Sequence, residues 1–222
     1  MKAGDSVGIL VPRHIKEQKP SVYTAHLTEV HKKRCVAKIE NVLYFQPPNV
    51  NIHLIVSPPK NNERLEWLVE KSVELQVTSL MFVYSERCIR KTLNIDRLSN
   101  ICISAAKQSV NPILPPIKEY KSISGLLDDL SKRASVSEMF LLFHCESTSN
   151  KTPFNTDTLH TIQKQNITDI YALIGPEGDW TKNEIGYFLS TLHNVIEADM
   201  GTTRLRTETA SIHVLSALRL IF

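Results

Sequence analysis

The residues best suited to ligand chemistry lie in two segments near the C-terminus. The first is Gly175-Pro176-Glu177-Gly178, which follows the apolar run 171–174 and precedes Thr181 and Glu184, a spacing typical of a helix capping box. A glycine lets the backbone approach a ligand closely, and loops after parallel strands are where open α/β sheets bind ligands. The segment therefore indicates a ligand-binding loop, although a tight turn between a strand and a helix would account for the same residues.

The second segment covers residues 200–210, MGTTRLRTETA, and holds two arginines, one glutamate and four threonines. Such a polar segment is costly to order unless it binds a ligand or caps a helix. Capping accounts for Thr207, with Glu208 favourable in the first turn of a final helix. Capping does not account for Arg204 and Arg206 beside a glycine, so the segment indicates a second binding loop.

Several common catalytic and cofactor motifs do not occur in the sequence. It contains no Gly-x-Gly-x-x-Gly and no Gly-x-x-x-x-Gly-Lys-Ser/Thr, which disfavours a Rossmann dinucleotide site and a P-loop. It contains no Gly-x-Ser-x-Gly and no His-Glu-x-x-His, which disfavours the common hydrolases and metalloproteases. The four cysteines lie 53, 14 and 43 residues apart, and the eight histidines are scattered. We therefore expect no metal site and no disulfide framework.

The two segments need a scaffold that brings them together, and the pattern after residue 51 predicts one. Apolar runs predict strands over 52–56, 80–84, 139–143, 170–174 and 195–198. Helical periodicity and caps predict helices over 65–76, 95–110, 122–133, 155–165, 181–193 and 208–220, the first of them capped by Asn61 or Asn62. Strands that alternate with helices are typical of a parallel α/β sheet covered on both faces.

The first fifty residues differ in pattern and in charge. Strands are predicted over 6–11, 23–27 and 35–39, and Pro47-Pro48 then interrupts regular structure. Residues 1–52 hold eight Lys and Arg against four Asp and Glu, whereas residues 53–222 hold 18 against 19. The excess positive charge suits a small module that binds a polyanion, and a solvated basic face without a partner is the alternative. We therefore predict two domains, residues 1–50 and residues 51–222.

Composition bounds the class of protein. Hydrophobic residues make up 42% of the chain and charged residues 22%, which is typical of a globular protein rather than a disordered or fibrous one. No stretch approaches the roughly 18–20 apolar residues of a membrane span. The N-terminus lacks the charged-then-apolar order of a signal peptide. We therefore expect a soluble, cytoplasmic protein without a membrane partner.

Five segments together carry a resemblance to a known family. Gly175-Pro176-Glu177-Gly178 is followed 26 residues later by Gly201-x-x-Arg-Leu-Arg-Thr-Glu-Thr-Ala. The stretch 66–77, with EKSVEL, is similar to the family's Lys-Ala-x-Glu-Leu-Gly-Val helix. Ser85-Glu86-Arg87-Cys88 and Ala105-Ala106-Lys107-Gln108-Ser109 resemble its Ser-Glu-Arg-Ser and Ala-x-Glu-Gln-Ser segments. The chain thus resembles the small-subunit ribosomal RNA methyltransferase E family, uridine-N3 methyltransferases of the SPOUT superfamily.

This resemblance implies an architecture, a cofactor and partners. The fold would be α/β, with a SPOUT-type parallel sheet tied in a C-terminal trefoil knot and preceded by a small PUA-like β-barrel. The chain starts near the family's Gly-Asp, here Gly4-Asp5, so the barrel is expected to be short at its N-terminus. The cofactor would be S-adenosyl-L-methionine, the substrate 16S ribosomal RNA within the small ribosomal subunit, and the protein a homodimer.

The resemblance also assigns site residues. Three loops and the strand ends before them would bind the cofactor through Phe143, His144, Cys145, Ile174, Gly175, Glu177, Gly178, Met200, Gly201, Leu205 and Arg206. The basic N-terminal charge and the Ser-Glu-Arg segment indicate RNA contacts at Arg13, Lys32, Lys33, Arg34 and Arg87. N3 of uracil carries a proton at neutral pH, so methylation there needs a base or a group that stabilises the anion. Arg206 is the candidate that steadies negative charge on the uracil, and Glu208 is the candidate that orients the uracil or accepts its proton.

The sequence departs from the family pattern in places and leaves two other functions open. Asp179 stands at the last glycine of the family's Gly-Pro-Glu-Gly-Gly loop, Gln76 replaces the glycine after Glu-Leu, and Asn111 replaces a basic residue. One alternative function keeps the fold and changes the acceptor, which gives a ribose 2′-O-methyltransferase. The other is a non-catalytic RNA-binding protein.

Overall fold

The computed structural model describes residues 1–11, 21–132, 135–147 and 151–222. Its strands are β1 (Ser6–Val11), β2 (Ser21–Val30), β3 (Cys35–Tyr44), β4 (Asn51–Val56), β5 (Ser79–Val83), β6 (Ile117–Tyr120), β7 (Glu138–Phe143), β8 (Thr152–Pro153), β9 (Asp169–Ile174) and β10 (Val195–Asp199). Its helices are α1 (Asn62–Glu74), α2 (Ile95–Ser109), α3 (Ile123–Ser131), α4 (Thr156–Gln163), α5 (Lys182–Thr191) and α6 (Thr207–Ile221). The strands form a three-stranded sheet, β1-β2-β3, and a seven-stranded sheet, β6-β5-β4-β9-β7-β10-β8.

The seven-stranded sheet is parallel between all neighbouring strands. Helices cover both of its faces, so its central strands bury side chains in both directions. In β4, Leu54 packs with residues of α1, α2, α4 and α6, whereas the next residue, Ile55, packs with residues of α3 and α5. A strand buried on both faces needs an apolar run, which residues 139–143 of β7 and 170–174 of β9 provide, and which β4 provides with one interruption, at His53. The predicted α/β fold with a parallel sheet is confirmed.

The strand order brings three loops together. β9 lies between β4 and β7, and β10 lies on the other side of β7, so β9, β7 and β10 are neighbours. Parallel strands end at the same edge of a sheet, which we call the carboxyl edge; the opposite edge is the amino edge. The loops that begin at residues 144, 175 and 200 therefore leave the carboxyl edge side by side.

Asp169, the first residue of β9, organises the middle of the amino edge. Its carboxylate lies 3.0 Å from Nε2 of His53 and accepts hydrogen bonds from the Asn51 amide, at 3.0 Å, and from the Thr168 hydroxyl, at 2.7 Å. The His53 contact, followed by those from Thr168 and Asn51, outweighs burial and lowers the pKa of Asp169 to about 2. The carboxylate therefore joins β9 to β4 as a well-satisfied charge.

Arg219 of α6 provides a second polar link at the amino edge. Its guanidinium donates to the carbonyls of Val50, Leu75 and Gln76 at 3.0, 3.2 and 2.6 Å. Two of these carbonyls lie at the end of α1, where helical partners are lacking. Burial lowers the pKa of Arg219 to about 10, so the side chain stays charged at neutral pH. Arg219 therefore fastens the last helix to the start of the sheet.

The N-terminal sheet is antiparallel and less buried. β2 buries Val22, Ala25 and Leu27, whereas most of β3 is exposed. The exposed turn 31–34, which joins β2 to β3, carries the basic residues Lys32, Lys33 and Arg34. In the part of the chain that the structure describes, no helix is long and apolar enough to cross a membrane.

The predicted helix caps are correct at two helices and wrong at a third. Asn61 caps α1, and Thr181 with Glu184 forms the capping box of α5, as predicted. The prediction that Thr207 caps α6 is wrong, because Thr207 is already the first helical residue, and no side chain in the described ranges caps this helix. Instead, the Thr207 hydroxyl donates to the carbonyl of Gly175 at 2.9 Å and ties α6 to the loop after β9.

Candidate functional site

A cavity of about 590 Å³ opens at the carboxyl edge, between the loops that follow β7, β9 and β10. This volume lies within the roughly 300–1,000 Å³ typical of small-molecule sites. Among the described residues, its lining includes the carboxylates Glu146, Glu177, Asp179 and Asp199 and the cations Lys151 and Arg204. The surplus of carboxylates favours a ligand with positive charge.

Nine of the eleven predicted cofactor-binding residues line this cavity. They are Phe143, His144, Cys145, Ile174, Gly175, Glu177, Met200, Gly201 and Leu205. The sequence reasoning did not assign Asp179, Arg204 or Lys151, which also line it. Asp179 directly follows the first of the two binding segments and Arg204 lies inside the second, so their position was a usable signal. Lys151 follows no motif and reaches the cavity only because β8 pairs with β10.

Gly178 and Arg87 are not among the described residues that line the cavity. A Cβ added to Gly178 would lie 3.2 Å from Cβ of Arg87. The Arg87 guanidinium donates to the carbonyl of Gly178 at 2.9 Å and approaches that of Trp180 at 3.5 Å. The structure therefore places both residues where they support the loop after β9. Because the Arg87 side chain packs against Gly178, there is little space for a side chain at position 178.

Asp179 has a backbone conformation that few residue types adopt. Its φ is 64°, in the left-handed region that Asp tolerates better than most residues. One carboxylate oxygen accepts from the Trp180 N–H at 2.8 Å, and the other accepts from the Cys145 N–H at 2.7 Å. Asp179 therefore keeps the conformation that a glycine would allow and adds a link between the loops after β7 and β9.

The loop after β9 is fixed from three further directions. A Cβ on Gly175 would lie 3.2 Å from the backbone nitrogen of Trp180, whose side chain is fully buried. The Thr207 hydroxyl holds the carbonyl of Gly175, and the Glu177 carboxylate accepts from the Lys60 N–H at 3.1 Å. These contacts preorganise the loop, so a ligand would find it already in place.

The loop after β7 contributes a buried histidine and a cysteine. Nε2 of His144 lies 2.8 Å from a Glu197 oxygen, and Lys151 donates to the His144 carbonyl at 2.6 Å. Burial and the nearby Asp179 carboxylate raise the pKa of the Cys145 thiol. Cys145 is therefore protonated at neutral pH and is not prepared to act as a nucleophile.

The two proposed catalytic residues differ in their surroundings. Arg206 is exposed and lies directly after Leu205, which lines the cavity, but it is not itself among the described lining residues. The Glu208 side chain is only 9% exposed, and its Oε1 lies 3.5 Å from Nε of Arg64 on α1. Its Oε2 is buried and has no hydrogen-bond partner within the described ranges. Glu208 directly follows Thr207, which lines the cavity.

The predicted RNA-binding residues that the structure describes belong to different elements. Lys32, Lys33 and Arg34 are exposed on the N-terminal sheet, whereas Arg87 supports the loop after β9. Arg13 lies outside the described residues.

Comparison with known proteins agrees with this arrangement. Residues 46–219 match the family model of the RNA methyltransferase domain. The chain is 25% identical over 199 residues to the ribosomal RNA small subunit methyltransferase E of Rickettsia conorii, an alignment that covers 90% of this chain and 76% of that one. It is also 25% identical over 212 residues to the protein of the same name from Buchnera aphidicola, with the same two coverages.

A solved structure is similar over the whole chain. The crystal structure of ribosomal RNA small subunit methyltransferase E from Neisseria gonorrhoeae bound to S-adenosyl methionine superposes with a TM-score of 0.80 at 26% identity. The match covers 100% of this chain and 85% of that chain. The resemblance to the small-subunit ribosomal RNA methyltransferase E family is thereby confirmed. Because the family model spans most of its length, this chain belongs to the family of RNA methyltransferase domains.

Proposed function

We propose that this protein transfers the methyl group of S-adenosyl-L-methionine to N3 of a uridine in the 16S ribosomal RNA of the small subunit. Membership of the RNA methyltransferase family supports RNA as the substrate. Similarity to a methyltransferase that binds S-adenosyl methionine supports the cofactor. The observation that carries the proposal is the cavity at the carboxyl edge, because nine residues that the family resemblance assigns to the cofactor line it.

The lining residues fit this cofactor. Apolar contact for an adenine ring is available from Phe143, Ile174, Met200 and Leu205. The surplus of carboxylates suits a sulfonium cation. Gly201 has a φ of 105°, and no atom of the described residues lies within 4 Å of an added Cβ, so its backbone is open to close approach by a ligand. When bound, S-adenosylmethionine supplies an electrophilic methyl group and leaves as a neutral thioether.

The residues of the chain position the uracil and manage its proton. N3 must lose its proton as it gains the methyl group, and negative charge develops on the base. Arg206 is proposed to steady that charge, since it is exposed and stands between Leu205 and Thr207, which both line the cavity. Glu208 is proposed to orient the uracil or to accept the N3 proton, because one of its carboxylate oxygens has no donor in the described chain.

The proposal includes a finer architecture. Residues 51–222 would form a SPOUT domain tied in a C-terminal trefoil knot, and residues 1–50 a PUA-like barrel that is short at its N-terminus. The insertion of β9 between β4 and β7 supports the first, and the antiparallel β1-β2-β3 sheet supports the second. The protein would act as a homodimer in the cytoplasm.

Methyl transfer to small ribosomal subunits that lack the modification tests the function. The purified protein is incubated with such subunits and S-adenosylmethionine, and the digested RNA is analysed by nucleoside mass spectrometry. We expect N3-methyluridine in 16S ribosomal RNA. A 2′-O-methylated nucleoside would favour the ribose methyltransferase instead. RNA binding without calorimetric affinity for S-adenosylmethionine would favour the non-catalytic alternative.

A further inference from the structure

The Glu208 carboxylate has an oxygen in the protein interior that lacks a donor. The side chain is 9% exposed, and Oε2 has no hydrogen-bond partner among the described residues. Buried polar atoms are nearly always paired, because an unpaired one costs about 1–3 kcal/mol and a charged one costs more. A donor that arrives with a ligand would remove this cost.

Arg64 places a cation beside this carboxylate. Its Nε lies 3.5 Å from Oε1 of Glu208, and its side chain is 37% exposed. A tight charge-assisted hydrogen bond would be about 2.7–2.9 Å long, so the guanidinium keeps donors for another acceptor. The Arg64–Glu208 pair therefore combines a buried, unpaired acceptor, Oε2, with unused donors on a partly exposed guanidinium.

The pair lies beside the proposed site of methyl transfer. Glu208 follows Thr207, whose hydroxyl binds the Gly175 carbonyl at 2.9 Å and which lines the cavity. Neither Glu208 nor Arg64 is among the described residues that line the cavity, but the Cα atom of Glu208 is only about 3.8 Å from that of Thr207. Arg64 comes from the first turns of α1, which packs against α6. The pair thus lies between the two helices, close to the carboxyl edge.

The edge of uracil is complementary to such a pair. Uracil presents the N3–H donor between two carbonyl acceptors, O2 and O4, and bases in single-stranded RNA are read along this edge. Cytosine presents an N3 lone pair there instead, which would face the Glu208 oxygen and repel it. We propose that Arg64 and Glu208 form a uracil-reading pair, in which Oε2 accepts the N3–H and the guanidinium donates to an adjacent carbonyl of the base.

This inference rests on the proposed function and adds Arg64 and base selectivity to it. Its first test is Glu208→Gln. Arg64 would hold the amide oxygen, so the amide NH₂ would face the base and meet N3–H as donor against donor. We expect formation of N3-methyluridine to fall about 100-fold, in the range seen when one aligned polar group is lost, while calorimetric affinity for S-adenosylmethionine stays within twofold. Arg64→Met should lower the rate about 10-fold or more with the cofactor affinity again unchanged.

A matched control is available two residues further along α1. Glu66 on α1 pairs with Arg97 through Nε at 2.6 Å, and this pair is more exposed. Glu66→Gln removes an Arg–Glu pair of the same kind and should leave methyl transfer at the parent's rate. The double variant Arg64→Met/Glu208→Gln should be no worse than Glu208→Gln alone, because the two residues act as one unit.

Base preference gives a readout that a purely structural role would not change. After the target uridine has been located, two RNA fragments that carry uridine or cytidine at that position are compared in fluorescence-anisotropy titrations. The parent should prefer uridine about tenfold, and Glu208→Gln should lose or reverse this preference.

The outcomes separate the inference from the function. An unchanged uridine preference in Glu208→Gln overturns the inference, and so does a loss of rate that is matched by loss of cofactor affinity or of melting temperature. If the parent protein forms no N3-methyluridine on small subunits, the proposed function fails first and the uracil-reading pair fails with it.

Discussion

The two edges of the parallel sheet use polar residues in opposite ways. At the amino edge, Asp169 and Arg219 bind several partners each. At or beside the carboxyl edge, three buried side-chain atoms have no partner in the described chain: Nδ1 of His144, Nε1 of Trp180 and Oε2 of Glu208. The left-handed Asp179 also lies there.

This contrast separates stability from binding. At the amino edge, satisfied polar groups stabilise the protein: Asp169 joins β9 to β4, and Arg219 joins the last helix to the residues just before β4 and at the end of α1. Buried polar atoms without a partner among the described residues lie instead where a ligand would supply the missing contacts. Changes at the carboxyl edge should therefore alter binding and rate, and changes at the amino edge should alter stability.

The largest effect is expected at the carboxyl edge, from Arg206→Ala. Removing a guanidinium that stabilises developing charge should lower methyl transfer roughly 100- to 1,000-fold. Affinity for S-adenosylmethionine should stay the same, because Arg206 is not among the described residues that line the cavity. Single-turnover rates and calorimetry measure the two quantities. Equal losses in both would show that Arg206 serves the cofactor loop.

The amino edge is tested by Arg219→Met. The change leaves three carbonyls without their charged donor, at Val50, Leu75 and Gln76. The free energy of unfolding should fall by about 2–3 kcal/mol, measured by urea denaturation. Cofactor affinity of the folded variant should match the parent's. If the variant keeps the parent's stability but binds the cofactor weakly, the amino edge serves binding and not stability, which contradicts the proposed contrast.

Asp179 tests whether the linked loops matter for binding. Asp179→Gly keeps the positive φ without strain but removes the carboxylate that joins Cys145 to Trp180. Affinity for S-adenosylmethionine should weaken roughly 10-fold, because the cofactor would have to order the loop after β7. Asp179→Ala should be weaker still, since alanine is strained at this φ by about 1–2 kcal/mol. Hydrogen exchange at the Cys145 amide should rise in both. Unchanged exchange would contradict the proposed link.

The N-terminal sheet β1-β2-β3 is separate from the seven-stranded sheet and allows a third region to be compared with its two edges. Replacing Lys32, Lys33 and Arg34 with glutamine should weaken RNA binding. The slope of the logarithm of the binding constant against the logarithm of the salt concentration should become shallower by as much as about 2 to 3, because each lost phosphate contact lowers this slope by about 0.7–0.9. Cofactor affinity should not change. RNA titrations between low and physiological salt measure the slope. A parental affinity and slope would place the RNA contacts elsewhere.

The smallest effect concerns acid stability at the amino edge. The pKa of Asp169 is lowered to about 2 in the folded protein from 3.8, so its ionised form favours folding. That contribution, about 1 kcal/mol for a partly exposed group, is present above pH 4 and is lost as the pH falls toward 2. Asp169→Asn should therefore lower stability at pH 6 and flatten its decline between pH 4 and 2. An unchanged acid profile would show that Asp169 does not contribute.

The sequence by itself determined most of the elements and the identity of the cavity-lining loops. The main strands and helices followed from apolar runs, from Asn61 and from the Thr181–Glu184 box, because these signals are local. β6 and β8 did not follow, since β6 is only partly buried and β8 has two residues. Gly175, Glu177 and Gly201 could be assigned to binding loops because glycines and charged residues follow closely after apolar runs that predict strands.

Only the tertiary structure decided what the individual side chains do. Gly178 and Arg87 pair behind the loop, Thr207 holds Gly175, and Arg64 meets Glu208, although 91, 32 and 144 residues separate the partners. Hydrophobic periodicity specifies which face of an element is buried, but it carries no information on which distant strand lies beside it. The order β9-β7-β10 decided that, and with it the position of the cavity.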